Sequence, residues 1–194
     1  MNDAQSITNE SENPLQSNPE YEAINDQILA WTNGQPLLTD YLWDQLGLLN
    51  ADAELSAVDA DTVNQLVQQN FSIHPSQISG FPNAKVRQLL SGIYLTLVQG
   101  EKSLDVLQRY GEIYQARGGL PAREDSVDKV LLSSQLVTEN PNATVFVSCL
   151  IFRKIFGQDW LAAEIKRKRR RGSLDKYHLA LLAGLVSIFL VILG

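Results

Sequence analysis

The sequence predicts a mainly α-helical domain with a winged-helix-like β-hairpin, followed by a C-terminal transmembrane helix. Three observations carry this reading. Apolar residues recur at three- and four-residue intervals through most of residues 21–165, the spacing of helices that bury one face. Two short runs of β-formers, Leu136-Val137-Thr138 and Thr144-Val145-Phe146-Val147, flank Asn140-Pro141-Asn142, which is turn chemistry. From Leu179 to Gly194 no residue is charged, so a helix there has no polar face to turn to water.

Taken in order, residues 1–20 are rich in Asn, Ser, Gln and Glu and are expected to form a disordered N-terminal arm. From Tyr21 onward Ile24, Ile28 and Trp31 make one helical stripe. Asn33-Gly34 breaks it, and Pro36 suits the first turn of a second helix striped by Leu38, Leu42 and Leu46. A third helix follows over residues 59–71, on Val63, Leu66, Val67 and Phe71. The stretch "SIHPSQISGFPN", with two prolines and a glycine, reads as a connecting loop. Val86, Leu89, Leu90, Ile93, Leu97 and Val98 mark the clearest amphipathic helix, which Gly100 ends. Ser103 is expected to cap the next, with Leu104, Leu107 and Tyr114 inward. Helix signals return at Val127, Val130 and Leu131, and the hairpin comes next. "CLIFRKIFGQDWLAAEIK" is then helical, with Leu150, Ile151, Ile155, Trp160 and Leu161 on its buried side. Helix, hairpin, helix after several helices is a winged-helix order.

The tail is read as a membrane span over residues 177–194, which at 1.5 Å per residue reaches roughly 27 Å. A hydrocarbon core is about 30 Å thick. The difference closes if the bilayer thins, if Lys176 snorkels, or if the chain continues. The cations Lys166, Arg167, Lys168, Arg169, Arg170, Arg171 and Lys176 all precede the span. Residues 166–176 therefore read as a basic juxtamembrane linker, lying against the headgroups of an anionic bilayer. The positive-inside rule places that linker, and the domain before it, in the cytoplasm. In the same linker "RRRGS" sets Arg170 and Arg171 upstream of Ser173, a pattern that basophilic kinases favour.

Charge divides sharply at this boundary. Residues 1–165 carry 21 Asp and Glu against 9 Lys and Arg, a formal −12, whereas residues 166–194 carry +6. An acidic body repels phosphate backbones, so nucleic acid is a disfavoured partner. Cys149 is the only cysteine and lies among apolar residues; it reads as a small core side chain. With His74 and His178 the only histidines, no histidine metal site and no Ser-His-Asp or Cys-His grouping is expected. Asp59 with Asp61, and Glu124 with Asp125, read as solvated or helix N-terminal charges rather than acid/base pairs. No catalytic residue, cofactor or metal is assigned, and the chain is expected not to be an enzyme.

Two stretches resemble a known family. "ILAWTNGQPLLTDYLWDQL" resembles the "WTGGQPFLTQ" segment of a cyanobacterial AAA-like family often fused to WD40 repeats or sensor domains. "IFRKIFGQDWLAAEI" resembles a segment near that family's C-terminal end. Asn33 replaces the family's first Gly, and Phe152 stands where its Tyr is common. The resemblance covers about residues 21–165, the helical and winged-helix module, and implies a plasma or thylakoid membrane. The family's nucleotide-binding core would precede Tyr21. No G-x-x-x-x-G-K-S/T occurs anywhere in the chain, and "GEKS" at Gly100–Ser103 lacks the upstream glycine, so no apparatus for ATP hydrolysis is expected.

What these features imply together is a non-catalytic protein–protein interaction module, tethered to a membrane and facing the cytoplasm. A small accessory subunit of a photosynthetic or respiratory complex is an alternative. So is a membrane-tethered winged-helix regulator, although its candidate DNA-reading segment Ser126–Ser133 has only Lys129 as a cation. The candidate interface for an unidentified protein partner is Trp31, Tyr41 and Trp43. They cannot all share a stripe with Leu38, Leu42 and Leu46, because adjacent helix positions lie about 100° apart. At least one is expected at the edge of the core or outside it.

Overall fold

Pro19–Thr32 forms α1 and Pro36–Asp52 forms α2. Between them Asn33 (φ 47°) and Gly34 (φ 71°) both take left-handed backbone, which a side-chain-free or Asn position tolerates best. The Gln35 side chain then starts α2 by accepting from the Leu38 N–H at 2.9 Å. The joint is also held from outside: Asn33 Nδ2 donates to the Ser148 carbonyl, 115 residues away, at 2.9 Å.

A computed structural model describes residues 19–52 and 59–171 of the chain. The remainder of the expected arm, Ser173, Lys176 and the expected span at 177–194 lie outside the described residues. Among the described residues no helix is long and apolar enough to cross a membrane.

Three of the other helices, α3, α4 and α6, begin where the sequence supplies a side-chain cap. Asp59 accepts from the Thr62 N–H at 2.9 Å and opens α3, Ala60–Phe71. Asn83 accepts from Lys85 and Val86 and opens α4, Ala84–Val98. Gly100, at φ 87°, turns the chain into α5, Ser103–Gln115. Asp125 accepts from Val127 and Asp128 and opens α6, Ser126–Ser133. Each such bond satisfies an N–H that the first helical turn leaves without a partner.

The sheet is three-stranded and antiparallel, in the order β1-β3-β2. Its strands are β1, Leu120–Pro121; β2, Val137–Glu139; and β3, Thr144–Val147. In the β2–β3 hairpin Val137 pairs with Val147 and Glu139 with Val145. The Asn140 side chain closes the turn by accepting from Asn142 and Thr144, both at 3.0 Å. On the other edge Leu120 pairs with Val145. Gly119 makes that approach possible. It sits at φ 85°, and a Cβ there would lie 2.8 Å from the Val145 carbonyl oxygen. After β3 come α7, Leu150–Ile155, and α8, residues 158–171.

One hydrophobic cluster runs through all of these elements. Its amino-terminal part is built on Ile28, Leu38, Leu42, Val63, Val67 and Phe71. Its carboxy-terminal part is built on Leu90, Leu107, Tyr110, Ile113, Ile151, Phe152 and Phe156. Tyr41 of α2, Phe71 of α3 and Phe81, in the segment just before α4, form an aromatic knot with ring centroids 5.3–5.7 Å apart.

Five sequence expectations need correction. The stretch expected as a loop contains a 3-10 helix, Pro75–Gly80, and buries Ile78 and Phe81; its prolines shape a packed segment rather than exclude one. In α5 the buried face is Val106, Leu107, Tyr110 and Ile113, whereas Leu104 and Tyr114 are only half-buried. Lys102, not Ser103, occupies the cap position and makes no side-chain cap. Leu150, expected on the buried side of its helix, is exposed, as is Val130 of α6. The expected C-terminal helix is broken at Phe156-Gly157 into α7 and α8. The break lets Phe156 turn inward, where its carbonyl accepts from the Tyr110 hydroxyl at 3.2 Å.

Candidate functional site

The cation cluster begins on a helix that the core holds firmly. In α8, Trp160 and Leu161 are buried, and Trp160 packs against Phe156 and Tyr94 with centroids 5.6 and 6.2 Å away. Gly111 of α5 lets Leu161 close in; a Cβ at that glycine would lie 3.2 Å from a Leu161 methyl. Burying side chains of this size is worth about 1.5–3 kcal/mol each, so the helix start is anchored. Glu164, also buried, pairs with Arg167. Lys168 donates to the Val98 carbonyl at the end of α4.

Lys166, Arg169, Arg170 and Arg171 are exposed and make no ion pair among the described residues. The six cations from Lys166 to Arg171 are thus part of α8. Two of them bond back to the domain, and four project from it. Lys176 lies outside the described residues. Four free guanidinium and ammonium groups on the last turns of one helix make an electropositive end on an otherwise acidic body, suited to anionic surfaces.

The three candidate interface aromatics separate. Tyr41 is core: it is 3 % exposed, and its hydroxyl has no hydrogen-bond partner among the described residues. Burial raises its pKa. Its ring occupies the space between Phe71 and Phe81, so it is withdrawn from the candidate interface. Trp31 and Trp43 lie at the core's edge, half-buried, which is where at least one aromatic was expected. Trp31 Nε1 donates to Asn64 Oδ1 at 2.8 Å. Trp43 stacks on Tyr21, centroids 5.0 Å apart and planes 20° apart. Tyr21 itself is exposed, so this pair presents aromatic surface to solvent.

The charged pairs behave as helix caps. Asp59 is held below the usual carboxylate range by hydrogen bonds from Thr62. Asp125 caps α6. His74 caps the 3-10 helix, its Nδ1 accepting from the Ser76 N–H at 3.2 Å. Cys149 is buried, and burial pushes its thiol up to about 12, which leaves no thiolate for nucleophilic chemistry near neutrality. Among the described residues no group of three His, Cys, Asp or Glu is arranged to hold a metal ion.

One polar cluster was not anticipated. Arg109 of α5 and Asp128 of α6 are both buried and paired, with Glu112 and Arg123 extending the network outward. The available signal was an arginine among the buried positions Val106, Leu107, Tyr110 and Ile113. A charge there requires a partner. All three Arg109 guanidinium nitrogens donate to protein acceptors, on Asp128, Glu112 and the Pro121 carbonyl, so the pair is a structural clamp between α5 and α6.

Family models, curated proteins and solved structures offer no match to this chain. Within the stretch "ILAWTNGQPLLTDYLWDQL", residues Trp31 to Pro36 form the joint between α1 and α2, with its anchor on Ser148.

Proposed function

We propose that this chain is a non-catalytic protein-interaction module held at the cytoplasmic face of a bilayer by its C-terminal segment. The observation that carries the reading is the course of α8. The helix starts in the core at Trp160 and Leu161 and leaves the domain with Lys166, Arg169, Arg170 and Arg171 exposed. Eight residues after Arg171 the uncharged run from Leu179 begins. A cationic helix end rooted in a folded domain, followed closely by an apolar run, couples that domain to a membrane surface with little slack. The apolar run acts as the transmembrane helix, and the acidic body stands off the anionic surface.

The strand order β1-β3-β2 around α6 supports a winged-helix-like arrangement for residues 103–156. It also favours a second reading, a membrane-tethered regulator that inserts α6 into DNA. Charge opposes this: α6 offers Lys129 beside Asp125 and Asp128, and phosphate contacts need several Lys or Arg. The AAA-like resemblance fits the interaction reading, since it covers the accessory module and not the ATPase core.

The deciding experiment is extraction of membranes carrying the full chain with high salt and with carbonate, followed by protease protection. Retention in the membrane with the domain exposed on the cytoplasmic side is expected, because salt screens charges but does not weaken apolar burial. Release into the salt wash would end the anchor reading. In-cell crosslinking of the retained chain tests the interaction half; a chain that crosslinks to nothing in its native membrane would end that half.

A further inference from the structure

We infer that the cavity between Arg117 and Arg153 is a docking site for a peptide segment presenting one carboxylate beside an apolar side chain. This rests on the interaction-module reading and names the chemistry of its partner. The cavity has a volume of about 600 Å³ and is bounded by Tyr114, Arg117, Phe146, Leu150 and Arg153, a size that suits a small ligand group.

Two of the nine cations in residues 1–165 line this cavity, and no carboxylate among the described residues does. Arg153 is already set in place: Nη2 donates to the Tyr114 carbonyl at 2.6 Å, and the guanidinium lies 4.4 Å from the centre of the Tyr114 ring. Its Nε and Nη1 groups have no protein acceptor among the described residues, nor has the exposed Arg117 side chain. Two guanidinium groups, one of them held by stacking, match a single oxyanion in the planar geometry that carboxylates provide. Leu150 is 46 % exposed on the first turn of α7, and with Phe146 it offers an apolar patch beside the cations.

The cavity's position separates it from the membrane surface. Along the chain, Arg153 touches Tyr114, Phe156 touches Tyr110, and Lys168 touches Val98. The C-terminal helices therefore run antiparallel to α5, and the cationic end of α8 lies at the opposite end from Arg117. The 14 residues of α8 alone span roughly 21 Å. A headgroup of the bilayer that holds the C-terminal segment is out of reach. A polynucleotide would bring many phosphates to a body of charge −12, whereas one carboxylate pays little repulsion beyond a Debye length of about 8 Å.

The test uses the full chain in neutral detergent and fluorescence anisotropy. The probes are a labelled peptide set with glutamate flanked by leucine or phenylalanine, and the same set with glutamine. Arg117→Glu and Leu150→Asp change exposed positions, and melting temperature confirms that each variant is folded. The glutamate set should bind at least about tenfold more tightly than the glutamine set, and each variant should lose about tenfold. Absence of peptide binding, or glutamate-peptide binding unchanged in both folded variants, overturns the proposal. So does binding of a single-stranded oligonucleotide or of phosphatidylserine vesicles that falls with Arg117→Glu, since that would assign the cavity to phosphate. If the variants keep all native crosslinks while peptide binding fails, the cavity assignment falls and the interaction module stands.

Discussion

Arg109 and Asp128 meet through two parallel bonds, Nε to Oδ1 at 2.7 Å and Nη2 to Oδ2 at 2.9 Å. Both side chains are buried, at 3 % and 1 % exposure. Arg109 Nη2 also donates to the Pro121 carbonyl, and Asp128 Oδ2 accepts from the Arg123 backbone N–H. One ion pair therefore fastens α5, α6 and the segment containing β1. Asp128→Asn should cost about 3–5 kcal/mol, because the buried guanidinium loses its buried counter-charge and keeps only the exposed Glu112. Urea denaturation measures it. A loss below about 1 kcal/mol, the value of a surface pair, would show that the clamp is solvated.

The same pair sets an acid limit. Burial alone would raise the Asp128 carboxyl, but hydrogen bonds from Arg109 and Arg123 outweigh it, and its pKa falls below the ordinary value. A depressed carboxylate contributes its stabilisation above the unfolded-state pKa of about 4, and loses it as pH falls through the folded-state pKa. Melting temperature should thus fall more steeply below about pH 4 in the native chain than in Asp128→Asn. Parallel curves would remove Asp128 from the acid response.

Trp43 and Tyr21 tie α2 to the start of α1 at the rim of the core. Trp43→Ala should leave the domain folded but destabilise it by about 1–3 kcal/mol, of which about 0.5–1.5 kcal/mol is shared with Tyr21 in a double-mutant cycle. An additive cycle would mean that the stack contributes no energy of its own. Loss of a native crosslink at unchanged stability would instead identify Trp43 as a contact residue.

The Tyr41 hydroxyl is buried without a partner among the described residues. Tyr41→Phe keeps the ring between Phe71 and Phe81 and removes only the uncompensated polar group, so a gain of about 1 kcal/mol is expected. A loss of that size would place a hydrogen-bonded water on the hydroxyl.

Cys149 should resist iodoacetamide at pH 8 in the folded chain and react readily in denaturant, since its thiol pKa is pushed up to about 12 and its sulfur is buried. Intact mass before and after unfolding reads this directly. Fast labelling of the native chain would show that the N-terminal end of α7 opens.

The sequence by itself determined the features that depend on near neighbours. Asn33-Gly34 before Pro36 marked the α1–α2 joint, and Asn140-Pro141-Asn142 marked the hairpin turn. Asp59 and Asp125 marked helix starts, and each forms its bond within three residues. Backbone sterics and short side-chain caps act locally, so a local reading finds them. Tertiary structure alone decided the rest. Helical spacing places Tyr41 and Trp43 on either side of Leu42 with equal claim to the core. Phe71 and Phe81, from elements 30 and 40 residues further on, cover Tyr41, and Trp43 is left to stack on Tyr21 at the rim. Ile78 and Phe81 were hidden in a stretch too short and too rich in proline to show a period. Arg109 finds Asp128 across 19 residues, and Arg117 and Arg153 share one cavity across 36. Periodicity tells which face of a helix turns inward; which neighbour covers that face, and which charges then meet, follows only from packing between elements distant in the chain.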